Sequence, residues 1–450
     1  MARQILKLSP LLKNCRHKFV LLPINPRWNN NGRHFASRTT AEESAETLSE
    51  GFHNEAKSVL RKSEASGLYG FDVLKTAKGF QTFVQEAIER SGELIAYIKH
   101  LPPSVETIHA MDEISDTICT VVDSAELCRN THPDRSGNRH ISQVILCPRA
   151  NLDVLDKLIA TRHDLAQILG YKSYAEFAHT STMASSPAVV MSFLHDISKM
   201  VKNKADEELH SISEFKKQIS DNANGSVEPW DEAYYTGMMK ASACNLESTA
   251  IASYFPLSQC LEGLTLVVRS LFGASFDSVP LAPGESWHPN VQKLILHHPI
   301  EGDLGCMYLD LYVRKDKYPG CAHFAIKGGR RLSETEYQLP VVALVCNFPP
   351  PARSSQALLN HWEVETLFHE FGHAIHSLLS RTDYQHFSGT RTVLDFAETP
   401  ANLFEYFAWD HRVLKQFAKT LLNRGCDTRG IGLIYEQSKK NVCSNRLAAS

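Results

Sequence analysis

The chain has 450 residues, 43% hydrophobic and 22% charged, which suits a soluble globular protein with a large core. Its 47 Lys and Arg nearly balance 50 Asp and Glu, which argues against a strongly basic nucleic-acid binder. No uninterrupted apolar run reaches the roughly 18 residues of a membrane span. The 11 cysteines are odd in number and scattered, with no C-x-x-C pair, so a disulfide framework is not expected and a reducing interior is.

The first 40 residues stand apart from the rest. They hold Arg3, Lys7, Lys13, Arg16, Lys18, Arg27, Arg33 and Arg38, and no acid precedes Glu42. A basic, acid-free N-terminus with apolar residues such as Leu6, Leu8, Leu11 and Leu12 reads as a mitochondrial transit peptide, and the apolar core of a secretory signal is lacking. Arg33-His-Phe35-Ala36 resembles a matrix-processing site, so 1–35 is the expected transit peptide and the mitochondrial matrix the expected compartment. Removal of those residues leaves a balance of roughly −10, a poor match for nucleic acid. Residues 36–66 are polar and acidic and read as a linker.

From Leu68 to about Cys128 the pattern is helical. Phe80, Phe83, Val84, Ile88, Leu94, Ile95 and Ile98 recur at three- and four-residue spacing, and Leu101-Pro-Pro103 breaks the run. Ile108, Met111, Ile114, Ile118 and Val122 begin a second helix, so 67–139 is expected to be a helical region. Thr131 to Asn138 is turn-rich. Leu155, Leu158, Leu165 and Leu169 mark a helix stopped by Gly170, and Leu194 to Phe215 a long amphipathic one whose charged face is solvated. Leu261 to Leu271 is another helix. Strands are expected at Gly305–Tyr312, His323–Ile326 and Pro340–Asn347, the last ended by Pro349-Pro-Pro351.

The motif that organises the chain follows. His369-Glu-Phe-Gly-His373 lies among Val364, Leu367, Phe368, Phe371, Ile375, Leu378 and Leu379, which have helical spacing. His369 and His373 are then one turn apart on one face, where two imidazoles can reach one zinc ion. Glu370 is placed to take a proton from water at that metal. Pro400 is tolerated in a first helical turn, so a second helix begins near Glu398. A carboxylate there would complete a His₂Glu set and leave a fourth position open. The residues themselves do not choose among Glu398, Glu405 and Asp395.

The run from Glu365 to Trp409 resembles the zinc-site region of the thimet-oligopeptidase family of metallopeptidases. The text that carries the likeness is F-H-E-F-G-H-A-I-H-S-L-L, then F-S-G-T-R at 387–391, then D-F-A-E-T-P at 395–400. Tyr384-Gln-His386 and Glu405-Tyr-Phe-Ala408 are most similar to the family's mitochondrial members. The resemblance implies that the third ligand is Glu398, that one zinc is held per chain by His369, His373 and Glu398, and that Glu370 is the general base. It implies a mainly α, zincin-like fold with a small sheet beside the zinc helix, and a catalytic region spanning 140–450. Its substrates would be peptides or imported precursors that lose short N-terminal peptides, with no nucleic acid and no membrane span. An edge strand pairs with extended substrate in such enzymes, and Ala343 to Asn347 is the candidate, an ordinary buried strand being the alternative.

Glu365 and Asp395 are the expected partners of the imidazoles. Two departures from the family pattern stand out. The loop at 131–138 and the helix from Leu152 nearly abut, which resembles an internal deletion. The chain also stops before the family's later Gly-rich loop, whose His and Tyr residues stabilise the oxyanion. The expectation is therefore a fold incomplete at its C-terminus, and the alternative function is a zinc-binding but catalytically incomplete protein that binds peptides or partners.

Overall fold

The computed structural model describes residues 66–76, 78–132, 148–219, 226–244, 251–351 and 356–419. The expected transit peptide, the linker up to residue 65, most of the turn-rich loop and the tail after 419 lie outside the described residues. The fold is mainly helical, with one small mixed sheet.

The helical pattern from Leu68 resolves differently at its start. Two short 3₁₀ turns, Leu68–Gly70 and Asp72–Lys75, come first, because Tyr69 and Gly70 take φ of 61° and 83° and cannot continue a helix. Helix α1 (Gly79–Ile98) and α2 (Val105–Thr131) follow, divided where the Pro-Pro pair requires. Ser104 caps α2, its hydroxyl accepting from the Thr107 amide at 3.3 Å. Leu94 of α1 packs with Ala110, Ile114 and Ile118 of α2.

Among the described residues the helices α3 (Pro148–Ile168), α4 (Tyr174–Ala178), α5 (Pro187–Ile219) and α6 (Glu232–Cys244) follow. Gly170 stops the α3 segment with a φ of 83°. The charged face of α5 is solvated as expected, but so is most of its apolar face. Phe193 is 63% exposed and Met200 79%, and only Ile212 on that helix is buried.

Helix α7 (Leu257–Phe272) leads into the sheet, whose strands are β1 (Ser275–Val279), β2 (Gln292–His298), β3 (Gly302–Tyr312), β4 (Ala322–Lys327) and β7 (Val341–Phe348). A two-stranded ribbon, β5 (Arg330–Arg331) with β6 (Tyr337–Gln338), lies between β4 and β7 in sequence. The order is β1-β2-β3-β7-β4, parallel only where β3 meets β7. The pattern in 275–279 and 292–298 does not announce strands. Lys293, buried in β2, hides its charge in a bond to Glu285 at 2.6 Å, and Glu285 also accepts from the Tyr308 hydroxyl at 2.6 Å. That satisfied polar pair breaks the alternation by which strands are read.

Both faces of the sheet are covered. On one, Leu304, Met307, Val342, Leu344 and Cys346 pack with Leu367, Phe368, Phe371 and Ile375 of α8 (His361–Leu379). On the other, Ile295, Cys306, Tyr308, Ala343 and Val345 meet Tyr69, Leu74, Phe80 and Leu127. Strand β7 is therefore interior, with neighbours on both sides, and the expectation that Ala343–Asn347 forms an edge is overturned. The free edge beside α8 is β4.

Helix α9 (Thr399–Phe407) crosses α8, with Pro400 in its first turn, and α10 (His411–Phe417) closes the described chain. Gly372 is the contact point. A Cβ there would sit 2.7 Å from Ala401 Cα and 3.0 Å from both Phe404 Cβ and the Pro400 carbonyl. Gly372→Ala gains up to about 1 kcal/mol of helix propensity, but it forces backbone against backbone, an overpacking that costs about 1–3 kcal/mol. The clash wins, so the variant should unfold at lower denaturant with an unchanged slope. An unchanged midpoint would show that the helices have room to separate.

Candidate metal centre

Helix α8 is built to be rigid where the chemistry sits. Asn360 and Glu363 form a capping box, the Asn360 amide donating to Glu363 Oε2 at 2.7 Å. The apolar stripe Val364, Leu367, Phe368, Phe371 and Ile375 is buried against the sheet. The opposite face turns His369 and His373 toward α9, their ring centres 5.0 Å apart.

Glu398 precedes the first residue of α9 and meets both rings. Its Oε2 lies 3.2 Å from His369 Nε2 and 3.0 Å from His373 Nε2. One ligand atom from each residue falls within 4.8 Å of the others, a spread that one small cation spans. Of the three acids left open by the residues alone, this is the one that meets both imidazoles.

Glu405, about two turns further along α9, has a different task. Its Oε2 accepts from His369 Nδ1 at 3.2 Å, which fixes the ring tautomer and leaves Nε2 with its lone pair toward Glu398. That bond holds the His369 pKa above its ordinary value, while burial draws those of His373 and His376 below theirs. A neutral imidazole is the form that ligates, so burial favours ligation at His373, while His369 would give up a proton to a bound metal. The donor set thus fits a zinc ion: two imidazole nitrogens, one carboxylate oxygen, and one ring oriented by a further carboxylate.

The expected partners of the imidazoles do other work. Glu365 Oε1 accepts from the Trp409 indole at 2.8 Å and so ties the far end of α9 to α8. Asp395 accepts from the Met183 and Ala184 amides at 3.0 and 2.9 Å, anchoring the loop ahead of α5 to the segment before Glu398. Sequence patterns gave no hint of either, because both partners come from other elements.

Glu370 lies beside the cluster. Its Oε2 accepts from the His323 backbone amide on β4 at 2.8 Å, and burial raises its pKa above the carboxylate norm. A backbone donor leaves no signature in sequence, so this contact was not foreseeable. His323 itself is half-buried, its Nε2 3.2 Å from Ser377 Oγ, and desolvation pushes its pKa down to about 3, so it stays neutral. The site thus joins three candidate ligands, a carboxylate of raised proton affinity, and the free edge of a sheet.

The loop after α8 is held from the other side of the sheet's rim by α2. Asp112 accepts from the Gln385 and His386 amides, both at 3.0 Å. Arg391 pairs with Asp123, and Asp116 pairs with Arg330 at 3.3 Å. Asp112 and Asp123 thus fix the path of the chain from α8 to α9, and Asp116 holds β5 to the same helix.

Residues 145–423 match peptidase family M3. The chain is similar to the mitochondrial intermediate peptidase of Arabidopsis thaliana, 45% identical over 513 residues that take in 79% of this chain and 73% of that protein. It is 38% identical to the human mitochondrial intermediate peptidase over 66% of this chain and 43% of that protein. With the mouse protein the identity is also 38%, over 62% and 39%. The chain thus spans about two fifths of the length of the mammalian relatives.

The geometry predicts which acid matters to the metal. Glu405→Ala should weaken zinc binding by about 10–100-fold, since the ring it orients would be free to turn. Glu365→Ala should change the affinity far less. Competition against a chromogenic chelator reads both, and equal effects of the two substitutions would refute the assignment.

Proposed function

This chain belongs to peptidase family M3, and from that premise we propose that it is a zinc-dependent endopeptidase that cleaves peptides or precursor segments laid along β4. The observation that carries the reading is the convergence of His369, His373 and Glu398 within 4.8 Å, with Glu370 beside them.

In this reading the three residues hold one zinc ion. Bound there, the ion would supply Lewis acidity toward water and toward the scissile carbonyl. The rest falls to the chain's own groups. An extended substrate adds to the open edge of β4 through backbone hydrogen bonds, which brings its carbonyl beside Glu370 in the middle of α8. The His323 amide holds one oxygen of Glu370 and leaves the other to accept a proton from the attacking water. Burial raises the proton affinity of that carboxylate, so it can keep the proton and then give it to the departing amine. Glu405 keeps the His369 ring in the orientation that ligation needs.

The names of the relatives, together with the basic acid-free arm before Glu42, support a matrix enzyme that removes short N-terminal peptides from imported precursors. Residues 1–40 fused to a reporter should carry it into mitochondria and be cut near Ala36; an uncut reporter left in the cytosol would refute this.

Purified chain should hold about one zinc, and His373→Ala should lose it. Peptide hydrolysis should stop with chelator. At matched zinc content, Glu370→Gln should slow it by about 10²–10⁴-fold, the usual worth of a general base. Zinc bound without hydrolysis by the unmodified chain would instead favour a peptide-binding protein that lacks the chemistry.

A further inference from the structure

We propose that Cys321 and Cys346 are a reversible thiol–disulfide pair that clasps the open strand β4 to β7 beside Glu370. The register carries it. Ala322 stands opposite Val345 and His323 opposite Leu344 in the antiparallel pairing, so the next step places Cys321 opposite Cys346. Side chains directly opposite on antiparallel strands share a face. Here both cysteines pack into the cluster formed with α8, and Cys346 is fully buried there. Opposed residues have Cα atoms about 4.5–5.5 Å apart, inside the range of roughly 4.4–6.8 Å that a disulfide spans. Cys321 stands one residue before β4 and Cys346 lies within β7, so one further step of the register brings together two free cysteines.

The two thiols are unequal, as a reactive and a resolving cysteine are. Cys321 is partly exposed at the mouth of the edge strand. The bond from the Cys346 thiol, aided by the Asn347 backbone and the Lys317 ammonium, holds the Cys321 pKa below the ordinary thiol value, although burial and Glu370 oppose this. Burial holds that of Cys346 well above. A thiolate attacks faster than a thiol, so Cys321 is the nucleophile.

The oxidant is a small disulfide such as oxidised glutathione. Cys321 Sγ, as thiolate, attacks one of its sulfurs, the first glutathione leaves as thiolate, and a mixed disulfide forms on Cys321. Cys346 Sγ then attacks Cys321 Sγ and gives up its proton, which the departing second glutathione takes. Two protein thiols are oxidised and one disulfide is reduced to two thiols. The new bond fixes the strand that donates the His323 amide to Glu370. That consequence rests on the peptidase reading, whereas formation of the bond does not.

The test uses the full chain, zinc-loaded and reduced, then treated with oxidised glutathione. Digestion without reductant and mass spectrometry should find peptides joined through Cys321 and Cys346. Cys346→Ala should instead retain one glutathione on Cys321, and Cys321→Ala should leave Cys346 unmodified. Cys321 remaining reduced while other cysteines react, or no adduct building up in Cys346→Ala, would overturn the pair. Hydrolysis of a peptide should fall in the joined chain and return with dithiothreitol. Full hydrolysis by a fully joined chain would overturn the clasp's effect on the site, and absence of hydrolysis even in the reduced chain would count against the peptidase reading alone.

Discussion

The close crossing of α8 and α9 at Gly372 is the constraint on which the candidate centre depends. The imidazoles and the third carboxylate belong to different helices, and they meet only because nothing but hydrogen separates the α8 backbone from Ala401 and Pro400. One residue after this glycine comes His373, and Glu398 lies two residues before Pro400, so the crossing and the ligand cluster are one piece of geometry. Phe371 and Phe404 pack beside it with ring centres 6.1 Å apart, and Trp409 closes the far end through Glu365. Glu398 sits at the amino end of α9, where the helix dipole favours a negative charge even though the residue is 62% exposed.

Much of this was legible from residue order. The five-residue motif on a helical stripe announced α8, and Pro400 announced the start of α9. Three strands were readable because Gly305–Tyr312, His323–Ile326 and Pro340–Asn347 are apolar runs bounded by turn residues. What local pattern could not convey was the order of those strands. Which strand is central depends on pairing between segments far apart, so β7 was taken for an edge when β4 is the edge. The tasks of the acids were hidden for a similar reason. Glu405 lies in the segment as plainly as Asp395, and only the crossing of two helices turns one toward His369 and the other toward the Met183 amide.

Helix α2 shows the same limit on a larger scale. Its apolar stripe reads as core, and its Asp residues carry no local sign of a partner. In the structure Asp112 and Asp116 are buried; Asp112 and Asp123 bind the chain after α8, and Asp116 binds β5. Burial raises the Asp123 pKa to about 6 despite the pull of Arg391, a sign that desolvation outweighs the ion pair there. Such a pairing costs desolvation and returns position: it sets the loop from which α9 departs.

The two-sided covering of the sheet has a bearing on how the chain reaches this state. Tyr69, Leu74 and Leu127 seal a face formed by Ala343 and Val345, and Asp112 waits for amides at Gln385 and His386. During synthesis the N-terminal helices emerge long before the surfaces they are shaped to meet. Their apolar stripe must stay exposed, or shielded by other proteins, while more than 200 further residues are made. Contacts so distant along the chain close late and against a large loop entropy. The sheet therefore cannot be completed before β7 has been made, because β7 is the strand that joins β3 to β4.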